Sequence, residues 1–150
     1  MNTIAIDSPI GQLTLIGTNK ALTSICFGVS GYTFNPSELL LRAVRELREY
    51  FAGERRDFDI PLDPAGTDFQ KKVWQELRAI PYGQTRSYGD IARACSNPKA
   101  ARAVGLANNK NPIPIIIPCH RVIGADGSLT GYAGGLDAKK ILLELEQKNK

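Results

Sequence analysis

Pro118-Cys119-His120-Arg121-Val122 sets a thiol beside the chain's one histidine, at the exit of an uncharged, proline-stiffened run, Pro112-Ile113-Pro114-Ile115-Ile116-Ile117. A cysteine attacks as the thiolate, so a reactive one needs a neighbour that draws its pKa below the roughly 8.5 of a free thiol. His120 is the obvious source of that help. Adjacent side chains on an extended strand point to opposite faces, so the two pair in space only if the chain turns here or a water bridges them. By itself the pattern fits either a nucleophile in a dry pocket or an inert buried cysteine.

The elements that would position this pair fall into two regions. Thr3 to Ile6, Gln12 to Gly17 and Leu22 to Phe27 are short β-prone runs separated by Ser8-Pro9 and Thr18-Asn19-Lys20, and they predict a small meander. Pro36-Ser37 then opens a helix with Leu40, Ala43, Val44, Leu47 and Phe51 on one face, stopped by Gly53. From Glu54 to Gly66 the chain mixes charges with Pro61 and Pro64, which places a linker there. The division is residues 1–62 and 63–150.

The second region starts at Thr67-Asp68-Phe69-Gln70, a capping-box pattern, followed by Phe69, Val73, Leu77 and Ile80 at helical spacing, with Trp74 packing among them. Pro81-Tyr82-Gly83 ends that helix. Tyr88, Ile91, Ala92 and Cys95 mark a short helix from Ser87, and Asn97-Pro98 reads as the N-cap and first-turn proline of another running to about Asn108. Two short helices joined by a tight turn fit a DNA-binding helix-turn-helix and equally a generic helical hairpin. The second of them, Lys99-Ala100-Ala101-Arg102-Ala103-Val104-Gly105-Leu106-Ala107, carries two positive charges among small residues, where a reader of major-groove base edges offers Asn, Gln and several Arg. That content suits close, sequence-independent approach to a duplex. Asp126-Gly127, between Val122-Ile123 and Leu129, is a hairpin turn and would form a wing. Asp137 to Gln147 reads as an amphipathic final helix.

Bulk properties bound the answer. Nineteen basic against fifteen acidic residues in 150 give a net charge of +4, a mild lean toward polyanions. Three cysteines cannot all pair and none has CxxC spacing, so free thiols in a reducing, cytoplasmic setting are expected. No run approaches the length of a membrane span, and no signal-peptide pattern follows Met1.

Asn108-Asn109-Lys110-Asn111-Pro112, the run ending in Pro118-Cys119-His120-Arg121-Val122, Gly131-Tyr132-Ala133-Gly134-Gly135-Leu136 and Leu142-Leu143-Glu144-Leu145-Glu146 together resemble the O6-alkylguanine-DNA alkyltransferase family. The likeness extends from about Phe69 to Glu146. It implies direct-reversal repair: the protein flips an O6-alkylguanine out of duplex DNA, at a cost of a few kcal/mol, and takes the alkyl group irreversibly onto Cys119 in a single turnover. The resemblance makes His120 the base, acting on Cys119 through a water and oriented by Glu146, and lets Asn111 brace the turn before Pro112. It gives Tyr88 the role of acid toward guanine N3, makes Pro114 and Tyr132 pocket walls, and has the backbones of Cys119 and Val122 accept from the guanine amine. Gly134 and its neighbours fold the loop over the base. Arg102 would hold the place of the extruded nucleotide while Lys99, Ala101, Ala103 and Gly105 line the minor groove of double-stranded DNA without reading its sequence.

The fold implied is α+β: a small N-terminal sheet-plus-helix region, ribonuclease-H-like, followed by a mostly helical domain with a winged helix-turn-helix, acting as a monomer. Ala133 stands where one version of the family pattern has serine, so any contact to O6 there comes from the backbone N–H. Cys26 has no cysteine or histidine near it in sequence, so no zinc is expected, Cys26 and Cys95 read as buried apolar residues, and no nucleotide cofactor is implied. Glu146 also fits an ordinary surface position of the final helix, and Glu144 reads as solvated. Two other functions fit parts of the pattern: a protein that binds alkylguanine without repairing it, against which Cys119 argues, and a small cysteine hydrolase using Cys119, His120 and Glu146.

Overall fold

A computed structural model of the chain describes residues 1–28 and 34–150. They divide into two compact units, Met1–Ala65 and Gly66–Lys150. In the first, β1 (Asn2–Ile6), β2 (Leu13–Gly17) and β3 (Leu22–Phe27) form an antiparallel meander with β2 central, paired Ile4 to Leu15 and Leu15 to Ile25. Helix α1 (Glu38–Phe51) packs on all three strands. Ser37 caps it by accepting from the Leu40 N–H at 3.2 Å. The stripe it buries contains Leu40, Ala43, Val44 and Leu47, but the aromatic in the stripe is Tyr50, fully buried, with Phe51 half-buried and edge-on against it.

The stretch expected to be a linker is mostly folded onto this unit. The Leu22 N–H donates to the Pro61 carbonyl and the Asp63 N–H to the Leu22 carbonyl, both at 2.9 Å, while Ile60 is buried. Glu46, on the inner face of α1, accepts from the Asp59 N–H at 2.8 Å and faces Arg42 and Arg55. A helix-borne carboxylate thus ties the return segment down. Cys26 is half-buried rather than buried; Cys95 is buried.

In the second unit α2 (Asp68–Arg78) opens on a complete capping box, Thr67 with Gln70. Val73, Trp74 and Leu77 are buried, and the Trp74 indole N–H, which a dry core would otherwise strand, donates to the Ala107 carbonyl at 2.8 Å. That bond pins α2 to α4 (Ala101–Asn109). Between them, α3 (Tyr88–Ala94) follows the two-residue strand β4 (Arg86–Ser87) and has its own capping box, Ser87 with Asp90.

Two expectations fail here for physical reasons. Asn97 and Pro98 do not start α4. Ser96 takes a left-handed φ of 59°, its N–H donates to the Arg93 carbonyl and the Asn97 N–H to the Ala92 carbonyl, so these residues form the Schellman close of α3. The helix α4 begins only at Ala101, capped by Ala100 without a side-chain bond, and Lys99 lies in the turn before it. The wing is also not a strand-paired hairpin. The turn at Asp126-Gly127 forms, with the Gly124 N–H bonded to the Ser128 carbonyl at 2.9 Å, but β5 (Val122–Ile123) pairs in parallel with β4, Arg86 beside Val122. The chain ends in α5 (Leu136–Asn149), which buries Ala138, Lys139, Leu142 and Glu146 and packs on the tight 3-10 turn Cys119–Arg121.

Candidate active site

The segment before Cys119 is not an extended strand. Ile115 sits at φ 76°, a conformation that a β-branched residue adopts only when its surroundings impose it. The surroundings are Asn111, whose Nδ2 donates to the Ile117 carbonyl at 2.8 Å and whose Oδ1 accepts from the Ile113 N–H at 3.0 Å. Asn111 therefore braces the turn that follows Pro112 rather than one before it. Pro118, at φ −82° and ψ 64°, centres an inverse γ-turn closed by the Cys119 N–H on the Ile117 carbonyl at 2.8 Å. Residues 119–121 then wind one 3-10 turn, which removes the opposite-face geometry of a strand.

His120 is fully buried, and its Nε2 lies 2.6 Å from Glu146 Oε2. Burial alone would raise the Glu146 carboxyl, but hydrogen bonds and charge from His120 and Arg121 outweigh it and hold that carboxyl far below the usual range. Glu146 is thus an acceptor, Nε2 carries the imidazole proton, and Nδ1 keeps the free lone pair. Nδ1 is buried with no hydrogen-bond partner among the described residues. Burial, helped by the nearby Arg121 and Lys139 charges, pushes the imidazole below its ordinary pKa despite Glu146, so the ring is neutral at rest.

Cys119 is buried, and burial pushes its thiol up to about 11. Working the other way are a hydrogen bond from Asn111, the charge of Lys139, and the N–H groups of Cys119 and His120. The resting pair is therefore thiol and neutral imidazole, with several groups arranged to favour a thiolate once the proton moves. Asn108, also buried, donates to the Cys119 carbonyl at 3.4 Å.

Two charged residues of this site had no role assigned from sequence. Arg121 donates from Nε to Glu146 Oε1 at 2.8 Å, from Nη2 to Oε2 at 3.0 Å and from Nη1 to the Ile80 carbonyl at 2.8 Å, with its guanidinium over the Tyr82 ring. Lys139 is fully buried, and its Nζ donates to the carbonyls of Val122 at 2.6 Å and Thr130 at 2.7 Å. A signal for Lys139 does exist in the sequence. It shares one helical stripe with Leu142 and Glu146, three and seven residues on, so a lysine there either breaks the stripe or has a buried task. Gly83 adds an N–H to Glu146 Oε1 at 3.1 Å.

Pro114 is buried and Tyr132 half-buried, with its phenol lifted above the ordinary range by burial and by the charge of Cys119. Ala133 is exposed and Gly134 half-buried in the loop that leads into α5. Val122 is buried. Tyr88 is half-buried at the start of α3, its hydroxyl 2.8 Å from Thr130 Oγ1, and Gly105 of α4 stands against its ring. Along α4, Arg102 and Ala103 are exposed and Ala101 is half-buried. Leu106, 60 % exposed, follows one turn after Arg102. The site thus gathers Asn111, Cys119, His120 and Glu146, while Arg102 and its neighbours form a separate exposed face and Lys99 lies off the helix. Glu144 is solvated, 67 % exposed at its side chain.

Among the described residues no cluster of three or more His, Cys, Asp or Glu is arranged to hold a metal ion, and no helix is long and apolar enough to cross a membrane.

Comparison with known proteins matches the ribonuclease-like domain of 6-O-methylguanine DNA methyltransferase to residues 2–64 and the DNA-binding domain of the same family to residues 68–148. A methylated-DNA–protein-cysteine methyltransferase of Methanosarcina acetivorans is 54 % identical over 93 % of this chain and 94 % of its own. One of Mycobacterium tuberculosis is 55 % identical over 95 % of this chain and 90 % of its own. Among solved structures, Mycobacterium tuberculosis OGT in complex with DNA superposes with a TM-score of 0.92 at 52 % identity, covering 99 % of this chain and 94 % of that one. An O6-methylguanine DNA methyltransferase of Methanococcus jannaschii gives 0.73 at 32 %, covering 98 % and 95 %.

Proposed function

We propose how this chain, which belongs to the 6-O-methylguanine DNA methyltransferase family, carries out its repair reaction: Cys119 accepts the alkyl group from O6 of a guanine flipped out of duplex DNA. Its activity is that of a methylated-DNA–protein-cysteine methyltransferase, a direct-reversal DNA repair protein that binds DNA. The observation that carries the residue assignment is the buried His120 ring, held by Glu146 at Nε2 and left with Nδ1 as its only lone pair, on the residue next to Cys119.

The thiol proton passes from Cys119 to His120 Nδ1, by way of a water, and Glu146 stabilises the imidazolium that results. The thiolate attacks the alkyl carbon in line as the bond from that carbon to O6 breaks. Tyr88 hydrogen-bonds guanine N3, so the electron pair left on the base does not stand as a full charge. Asn111 and the N–H groups of Cys119 and His120 steady the sulfur. Pro114 and Tyr132 wall the base, the Cys119 and Val122 carbonyls accept from its amine, and the loop of Ala133 and Gly134 closes over it. A thioether has no easy leaving path, so each molecule acts once.

On the DNA side Arg102 fills the gap left by the base, and Lys99, Ala101, Ala103 and Gly105 approach the minor groove without sequence readout. The protein works as a monomer in the cytoplasm without metal or cofactor, its three thiols free.

Intact mass after incubation with duplex DNA bearing one O6-methylguanine tests the reading. One methyl gained on Cys119, and none in Cys119→Ala, is the expected result. An unchanged mass with tight lesion binding points to damage recognition without repair, and turnover without an adduct points to a hydrolase.

A further inference from the structure

Tyr88 and Thr130 share a hydrogen bond of 2.8 Å between two hydroxyls, either of which can donate. Neither partner is free to wander. The Tyr88 ring sits at the capped start of α3 and has Gly105 behind it, where an added Cβ would already touch Cδ1 and Cε1 at 3.8 Å. Thr130 is anchored through its carbonyl, which accepts from Lys139 Nζ at 2.7 Å, and the same buried ammonium ties the Val122 carbonyl at 2.6 Å. A fully buried cation therefore fixes the backbone that aims the Thr130 hydroxyl at the phenol.

We infer that Thr130 is a positioning residue for Tyr88, its hydroxyl holding the phenol in place and then donating to the phenol oxygen while Tyr88 gives its own proton to the base. This rests on the role proposed above for Tyr88. The phenol has a single proton. Once that proton is directed at guanine N3, the bond to Thr130 survives only with Thr130 as donor, so base entry fixes the direction of the pair rather than breaking it. That direction has a chemical consequence. As the thiolate forms its bond to the alkyl carbon and the carbon–O6 bond breaks, the electron pair stays with the guanine, and the Tyr88 proton shifts toward N3. Negative charge grows on the phenol oxygen, and a hydrogen bond donated there strengthens with it. After the base leaves, the proton that Cys119 gave to His120 makes good the phenol through solvent, so thiol and alkylguanine become thioether and guanine with nothing left over.

Thr130→Val removes the hydroxyl at nearly constant shape, and Thr130→Ser keeps it. The experiment is single-turnover methyl transfer from duplex O6-methylguanine DNA, with lesion-DNA affinity measured separately by anisotropy and each variant repeated on a Tyr88→Phe background. Expected are a transfer rate about tenfold lower in the Val variant, the size of one missing hydrogen bond, unchanged affinity, recovery in the Ser variant, and no further loss from Thr130→Val once Tyr88 is Phe. A Val variant as fast as the parent, a Ser variant as slow as Val, or an undiminished loss in the Phe background overturns the inference. A parent protein that transfers no methyl at all overturns the proposed function beneath it, and needs no variant to be recognised.

Discussion

Arg121 grips Glu146 with two nitrogens, Nε at 2.8 Å from Oε1 and Nη2 at 3.0 Å from Oε2, while His120 Nε2 stands 2.6 Å from the second of those oxygens. One carboxylate, 1 % exposed, therefore serves two residues of the same 3-10 turn. It neutralises the guanidinium and it selects the imidazole tautomer. The two tasks need different atoms of the partner residues but the same charge, so structure and chemistry are tied to Glu146 together.

Glu146→Gln tests both at once. The amide keeps the shape and loses the charge, leaving Arg121 buried without its counter-ion. A loss of about 3–5 kcal/mol in unfolding free energy is expected from breaking a buried pair on one side, read by urea denaturation. Methyl transfer falls as well, because a neutral amide beside Nε2 no longer offsets the charge of the imidazolium. A Gln variant as stable as the parent would sink the account of the pair.

The fold was legible wherever the signal was local. Ser37, Thr67 with Gln70, and Ser87 with its helix announce three helix starts, and all three caps form. Local signals mislead where one residue serves two neighbours or a partner lies far along the chain. Asn97-Pro98 has the chemistry of a helix start, yet Ser96 and Asn97 are used to close α3, a competition that nearest-neighbour propensities do not resolve. Val122-Ile123 looks like half of a hairpin but finds Arg86-Ser87 in parallel instead. At the site, Cys119, His120, Asn111 and Glu146 were legible through resemblance and come together. The grip of Arg121, the burial of Lys139 and the left-handed Ile115 depend on long-range packing.

The Cys119 thiol links stability to alkaline pH. Its folded pKa of about 11 lies above the roughly 8.5 of a free thiol. Between those values the unfolded chain has lost the proton and the folded chain keeps it, so the unfolded state binds fewer protons and stability falls as pH rises. Lys139, depressed by burial, works in the opposite direction, so the comparison must be a difference between two proteins. Subtracting the unfolding free energy of Cys119→Ala from that of the parent between pH 8 and pH 10.5 should give a value that declines with pH. A flat difference would mean the thiol is not held protonated by its surroundings.

Lys139 offers a second handle on the same sulfur. Lys139→Met fills the same volume, removes a charge that favours the thiolate, and leaves the Val122 and Thr130 carbonyls without their donor. Each carbonyl costs about 1–3 kcal/mol if it stays dry and unpaired. The variant is expected to unfold at lower urea and to react more slowly with a small thiol reagent at pH 8, measured by mass. Slower alkylation at unchanged stability would assign Lys139 to the electrostatics of Cys119 alone, and unchanged alkylation would remove it from that role.

Arg102 and Lys99 should differ in kind, because one stands on α4 and the other in the turn before it. If Lys99 meets phosphates from that turn, Lys99→Ala should weaken binding to damaged and undamaged duplexes alike. It should also flatten the dependence of log affinity on log salt by about 0.9 for each phosphate that the lysine no longer neutralises. Arg102 is exposed on the helix face with Ala103 and Leu106. If it fills the space of the extruded base, its removal is felt only when a base must be extruded, a step costing a few kcal/mol. Arg102→Ala is therefore expected to slow transfer from duplex O6-methylguanine by at least about tenfold, since each 1.4 kcal/mol withdrawn from flipping is that factor, while the rate with free O6-benzylguanine base stays at the parent value. Equal slowing on both substrates would place Arg102 in the fold or the acceptor site rather than on the DNA, and a uniform affinity loss like that of Lys99→Ala would reduce it to a phosphate contact.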